Sequence, residues 1–196
     1  FAGAVGAEPE RIELKDAGGA VLVSIGRASP GRMTMLCEGS KGTAFYVCPK
    51  CGFGHVKAQP THKTPLGQPC DGRIERIALG HEFDTDVLRL DFPSLAAGAD
   101  DIWLQLGVAY ALANGAAEAL DVPATDIAAT VYPRPGAPPQ ILLYDNVPGG
   151  AGLVARLETP EVFWRAISLA ARKVSGLCGC GEDESCYGCL RSYNNQ

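Results

Sequence analysis

The sequence predicts an α/β fold of the α+β kind, in which a small mixed sheet packs against helices and carries two cysteine-bearing knuckles. Three observations support this. Short runs such as 20–25 (AVLVSI), 87–92 (VLRLDF) and 140–145 (QILLYD) have the length and β-branched or alternating character of strands. Two longer stretches, from 100 or 101 to about 120 and from 159 to 176, keep apolar residues at helical i, i+3, i+4 spacing. Seven of the eight cysteines fall in two groups rich in glycine and proline.

Residues 1–36 carry little pattern beyond the strand at 20–25. The run 43–47 (TAFYV) is a further strand, and residues 73–79 and 87–92 read as two more, the second alternating so that one face is wet. Between them, 80–86 (GHEFDTD) reads as a polar turn whose Asp and Thr side chains bond nearby amides. Asp100 or Asp101 caps a helix with Ile102, Leu106, Ala109, Ala113, Ala116 and Leu120 on one stripe, and its many alanines suit close packing. A strand at 127–132 follows, then 133–139 with four prolines reads as an exposed loop, then the central strand 140–145. Residues 146–152 (NVPGGAG) form a glycine-rich strand-to-helix junction. Such a junction can cradle phosphate, but no Gly-Lys-Ser/Thr follows, and the favoured role is tight packing with Asp145 bonding local amides. The last helix opens at Thr159-Pro160, places Phe163, Ala166, Ile167, Ala170 and Val174 on one face, and aims its end at a cysteine cluster. Along the chain, 1–92 is read as a β-rich part with a zinc-ribbon-like insertion, and 93–196 as an α/β zinc-binding domain ending in four cysteines.

The cysteine spacings carry the chemistry. Cys178, Cys180, Cys186 and Cys189 form C-x-C-x5-C-x2-C, with Gly179, Gly181 and Gly188 freeing the backbone to wrap one point. Four thiolates complete the tetrahedron Zn²⁺ prefers and leave no position for water, so the site is structural rather than catalytic. Cys48-Pro49-Lys50-Cys51-Gly52 is a second chelating turn, and Cys70, among the turn formers Pro69-Cys70-Asp71-Gly72, is its third ligand. The fourth lies among His62, Cys37, His55 and His81. His62 is favoured because it shares an excursion of the chain with Cys70, and Cys37 is close behind.

Composition sets the outer limits. With 196 residues, 46% apolar and 20% charged, the chain can bury one good core or two small ones. The net charge of −5 and the absence of any Lys/Arg run longer than two make it a poor magnet for a phosphate backbone, so nucleic acid would have to be held mainly by something else. No apolar run suits a membrane, residues 1–10 lack a signal-peptide pattern, and cysteine usage fits two zinc ions in a reducing cytoplasm. The first residue is Phe, so the chain is read as an excised domain or processed product.

With these residues laid out, the chain resembles the DUF1998 family, found as the C-terminal zinc-binding part of mitomycin-repair-type helicases of superfamily 2. The likeness rests on 42–52 (GTAFYVCPKCG), 79–90 (LGHEFDTDVLRL), 142–152 (LLYDNVPGGAG) and 178–196 (CGCGEDESCYGCLRSYNNQ), and so spans about residues 42–196. The resemblance implies Cys178, Cys180, Cys186 and Cys189 as one zinc set and Cys48, Cys51, His62 and Cys70 as another. It also implies a place at the end of a DNA helicase, or in a companion protein of DISARM-type phage-defence systems that works beside a separate motor. No G-x-x-x-x-G-K-[ST] or Asp-Glu-x-His box is present, so no ATPase activity is expected of this chain by itself.

The expected function is therefore a zinc-stabilised accessory domain that helps position DNA or the motor in repair or phage defence. Lys50, Lys57, Lys63, Arg172, Lys173 and Arg191 are its candidate phosphate contacts. The alternative is a protein-interaction module without nucleic-acid contact, and a third reading is a thiol enzyme or nuclease centred on Cys180 or on His81, Asp84 and Asp86.

Overall fold

The structure is a computed structural model that describes residues 11–39, 42, 44–59, 61–98, 101–134, 137–181 and 184–191. In chain order the strands are β1 (Arg11–Lys15), β2 (Val21–Cys37), β3 (Phe45–Val47), β4 (Gly54–His55), β5 (His62–Lys63), β6 (Pro69–Cys70), β7 (Glu75–Ile77), β8 (Leu79–Asp91), β9 (Ile127–Arg134) and β10 (Ala137–Asp145). The helices are α1 (Ile102–Leu120) and α2 (Pro160–Lys173), with short 3-10 segments at Pro93–Gly98 and Val154–Glu158. None of the described helices is long and apolar enough to cross a membrane.

By packing, the chain forms two compact units, one of Thr34–Glu82 and the other of the described residues up to Met33 together with those from Phe83 onward. A cut at residue 92 divides the chain along its length; the packing units are drawn inside β2 and β8, whose residues carry the chain into and out of Thr34–Glu82.

In the larger unit the sheet runs β1-β2-β8-β10-β9. Period-2 alternation turns Val23, Ile25, Leu88, Leu90, Ile141 and Leu143 into one apolar cluster with residues of α1 and α2. Asp101 caps α1 through its carboxylate, which accepts from the Trp103 and Leu104 amides at 3.1 and 3.0 Å; the other candidate cap, Asp100, lies outside the described residues. Asp121 ends the helix in the left-handed region at φ 56°.

Gly115, with no side chain, lets α1 approach the backbone of α2 at Ala166 and Ala170. A Cβ on Gly115 would stand 2.4 Å from the Ala166 carbonyl oxygen and 2.7 Å from the Ala170 nitrogen. Because α1 also meets β9 and β10, it is buried well beyond one stripe: Gln105, Ala111, Leu112 and Ala117 are buried along with Ala109, Ala113, Ala116 and Leu120. Ile102, expected on the inner stripe, is instead exposed in the first turn. On α2, Phe163 is fully buried beside Ala166 and Ala170, while Ile167 is only partly covered.

Two expected breaks turn out to be strand. The polar turn at 80–86 lies within β8, because its carboxylates find partners from elsewhere in the chain: Glu82 accepts from the Thr34 hydroxyl at 3.1 Å and Asp84 from the Arg32 Nε at 3.1 Å. Thr85, on the opposite pleat, is buried and donates to the Asp145 carbonyl at 2.7 Å. The proline-rich stretch is the end of a hairpin, with β9 reaching Arg134 and β10 starting at Ala137. Pro138 and Pro139 fit because the β9–β10 register is irregular between Ala137 and Gln140, so no regular ladder asks them for a donor.

In the Thr34–Glu82 unit, β3 lies between β4 and β7, and β5 pairs with β6. All of these pairings are antiparallel. The expected strand start at Thr43 lies outside the described residues.

Candidate metal centres

The first centre is built by β3, which delivers Cys48 into a turn. Gly52, at φ 74°, donates to the Cys48 carbonyl at 2.8 Å, and the Cys48 amide donates to Phe53 O at 2.8 Å, so both sulfurs of the turn point to one side. The partners come from the β5–β6 hairpin, where His62 and Cys70 are direct register partners. The ligand atoms of Cys48, Cys51, His62 and Cys70 lie within 4.8 Å of one another. Cys48 Sγ is 4.0 Å from Cys70 Sγ, and His62 Nε2 is 3.2 Å from Cys51 Sγ. A zinc tetrahedron with S and N ligands has edges of about 3.6–3.8 Å, so the four donors fit the ion.

The surroundings hold this arrangement. His62 is buried and packs on Phe53 with ring centroids 5.0 Å apart. The Gly72 amide donates to Cys70 Sγ at 3.3 Å, and a Cβ at Gly72 would come within 2.4 Å of Cys48 Sγ, so the glycine makes room for the sulfurs. The ammonium of Lys50 donates to the Asp71 carboxylate and ties the knuckle to the Cys70 turn, which raises the lysine and lowers the aspartate from their ordinary pKa values. Burial pushes the Cys48 thiol up, but the Cys51 and Lys50 amides outweigh it and bring the group down to about 7. Cys51 is raised, chiefly by burial.

Cys37 is exposed and outside the group, so His62 is the residue brought to the fourth position. His55 instead accepts from the Lys57 amide at 3.0 Å. His81 lies on β8, on the opposite pleat from Glu82, Asp84 and Asp86, so the acid/base cluster suggested by the sequence does not converge.

The second centre follows α2. Gly176, Gly179 and Gly181 have φ of 74°, 74° and 97°, which curls the chain back on itself. Cys178 and Cys180 Sγ are 3.2 Å apart, and Cys189 Sγ is 3.8 Å from both Cys180 and Cys186. All four sulfurs lie within 4.8 Å of one another. The turn is fixed by the Cys189 and Arg191 amides donating to the Cys186 carbonyl at 3.0 and 3.1 Å. Amides also face sulfur: Cys186 N donates to Cys189 Sγ at 3.1 Å and Gly188 N to Cys186 Sγ at 3.3 Å. The Cys186 amide holds the Cys189 thiol down at about 6, whereas the Cys178 thiol beside Cys180 pushes that group up to about 12. Amide donors stabilise thiolate, the ligand form, and closely set sulfurs oppose one another's ionisation. Both donor sets are closed, so a metal in either has no open position for substrate.

The glycine-rich junction is not an anion cradle. Buried Asp145 accepts from the Ala151, Leu153 and Val154 amides at 2.7, 2.9 and 2.9 Å, and Asp86 accepts from Gly152 at 3.0 Å. The protein's own carboxylates therefore occupy the donors a phosphate would need.

Set beside known proteins, residues 108–190, which include the second cysteine group, match the family model described as the MrfA Zn-binding domain. This stretch is thus of a zinc-binding class, and the structure gathers two cysteine-rich groups able to hold zinc. Among particular proteins, the chain is similar to the Druantia protein DruE of Escherichia coli (strain UMEA 4076-1). The two are 28% identical over an alignment of 190 residues that takes in 81% of this chain and 10% of that one. A solved structure described as the DUF1998 helicase MrfA bound to DNA superposes with a TM-score of 0.48 at 14% identity, covering 95% of this chain and 22% of that one. The resemblance to the DUF1998 family is borne out, and the chain spans only a tenth of the curated relative it matches.

Proposed function

We propose that this chain is a zinc-stabilised accessory module of a DNA helicase or of a helicase-associated defence protein, which shapes the motor or its DNA without hydrolysing ATP itself. In this reading Cys178, Cys180, Cys186 and Cys189 hold one zinc, and Cys48, Cys51, His62 and Cys70 hold another. The observation that supports it most is a closed four-sulfur set inside the stretch that matches the MrfA Zn-binding domain. Structural zinc of this kind contributes on the order of 10 kcal/mol to the local fold. The test is strand separation by the motor encoded with this chain, measured with the zinc-loaded chain and with a Cys186→Ser variant. The wild type should raise the rate or the DNA affinity and the variant should not; equal effects would remove the reading.

A second reading, a protein-interaction module without nucleic-acid contact, is favoured by the net charge of −5 and by an almost wholly apolar hollow of about 350 Å³ lined by Phe92, Leu104, Val108, Leu112, Ile167 and Leu190. Salt-dependent binding of the chain to DNA separates the two.

A further inference from the structure

The second cysteine turn carries more than sulfur. Tyr187 stands between Cys186 and Gly188 and is 66% exposed. The Arg191 guanidinium lies over its ring at 5.6 Å from the centroid. The turn that presents the ring is closed by hydrogen bonds, with the Cys189 and Arg191 amides both donating to the Cys186 carbonyl. Cys186 and Gly188, which flank Tyr187, line a hollow of about 380 Å³ together with Glu118 from α1 and Arg172 and Lys173 from the end of α2. Lys173 reaches Glu118 at 3.6 Å on a half-exposed surface, a pairing that solvent weakens.

We propose that this knuckle is a stacking platform for single-stranded nucleic acid, with Tyr187 receiving a base, Arg191 fixing the ring, and Arg172 and Lys173 reaching the adjoining phosphates. A tyrosine side chain has few rotatable bonds to lose when a base stacks on it, and every base offers a π-face, so the stacking is sequence-tolerant. Arg172 and Lys173 line the hollow that Cys186 and Gly188 also line, and there they offer locally the backbone attraction that the acidic chain lacks as a whole. The inference rests on the reading in which the module meets DNA, and it names the surface and the strand form.

The test uses the full zinc-loaded chain and a fluorescein-labelled oligothymidylate of about twenty nucleotides, with a duplex of equal length as control. Tyr187→Ala should weaken single-strand binding by roughly 5- to 150-fold, the equivalent of losing one base stack, while Tyr187→Trp and Tyr187→Phe retain it. Replacing Arg172 and Lys173 with glutamine should reduce the salt dependence of log K by about 0.7 for each phosphate no longer neutralised. Zinc content, measured on the same samples, should not change in any of these variants. Binding that Tyr187→Ala leaves intact, or that Tyr187→Phe loses as fully as Tyr187→Ala, overturns the platform while leaving the DNA reading standing. A wild-type chain that binds neither probe at low salt overturns both.

Discussion

Replacing Asp145 with asparagine changes almost no volume and removes one charge, yet it should be among the most damaging substitutions in the chain. The carboxylate is fully buried at the end of β10, and its two oxygens accept three amides, Ala151 and Leu153 on Oδ2 and Val154 on Oδ1. Asparagine has one acceptor oxygen and one NH₂ donor, so in either orientation an NH₂ group faces at least one amide N–H. A charge-assisted bond of about 1.5–3 kcal/mol is lost, and a buried donor is left unsatisfied at about 1–3 kcal/mol. Together these give about 2.5–6 kcal/mol. With a urea slope of about 2 kcal/mol/M, the midpoint should fall by about 1.3–3 M. Both α1 and α2 lie in the unit containing this latch, so the loss of helical circular dichroism reports its unfolding directly. A midpoint within about 0.5 M of wild type, equivalent to about 1 kcal/mol, would show that the carboxylate does not organise the junction.

Elemental analysis should find two zinc ions per wild-type chain and one in either Cys186→Ser or Cys70→Ser, and a metal-free chain with bridged thiols would contradict both ligand sets. Gly72→Ala should cost the first zinc alone, since its Cβ would stand 2.4 Å from Cys48 Sγ; retention of two zinc ions would show that the sulfurs can yield. Gly115→Ala should lower stability by about 1–3 kcal/mol in urea unfolding despite alanine's better helix propensity, because the methyl meets α2 backbone rather than a movable side chain; a more stable variant would mean the helices can separate. Phe163→Ala should cost about 3–5 kcal/mol by the same measurement, and a loss under about 1 kcal/mol would indicate that the core collapses around the gap.

What can be read in advance is whatever the chain states locally. Cys48-Pro49-Lys50-Cys51-Gly52 and the 178–189 array declare themselves because a chelating turn is written in consecutive residues. The Asp145 latch is legible for the same reason: its three amides lie within nine residues of it. What escapes is settled by distant partners. Glu82 and Asp84 look like turn residues until Thr34 and Arg32 are placed beside them. β2 runs through Pro30 and Gly31, residues that usually end a strand. Its register with β1 stops at Gly26, so Pro30 is outside that ladder, and a Cβ at Gly31 would sit 2.8 Å from Val87 Cγ2. Tyr187 escapes too, because an aromatic between two cysteines carries no periodic signal; the Arg191 guanidinium over its ring is placed by the turn.

The pairing of His62 with Cys70 across β5 and β6 has a consequence for how the short hairpin finds its alignment. Two residues per strand are too few to specify a match by apolar packing. A slip by one position would turn one of the two donors to the far side of the ribbon, leaving an ion with three. A cation gripped there would thus act as a proofreader, rewarding one alignment of the strands and none of its neighbours.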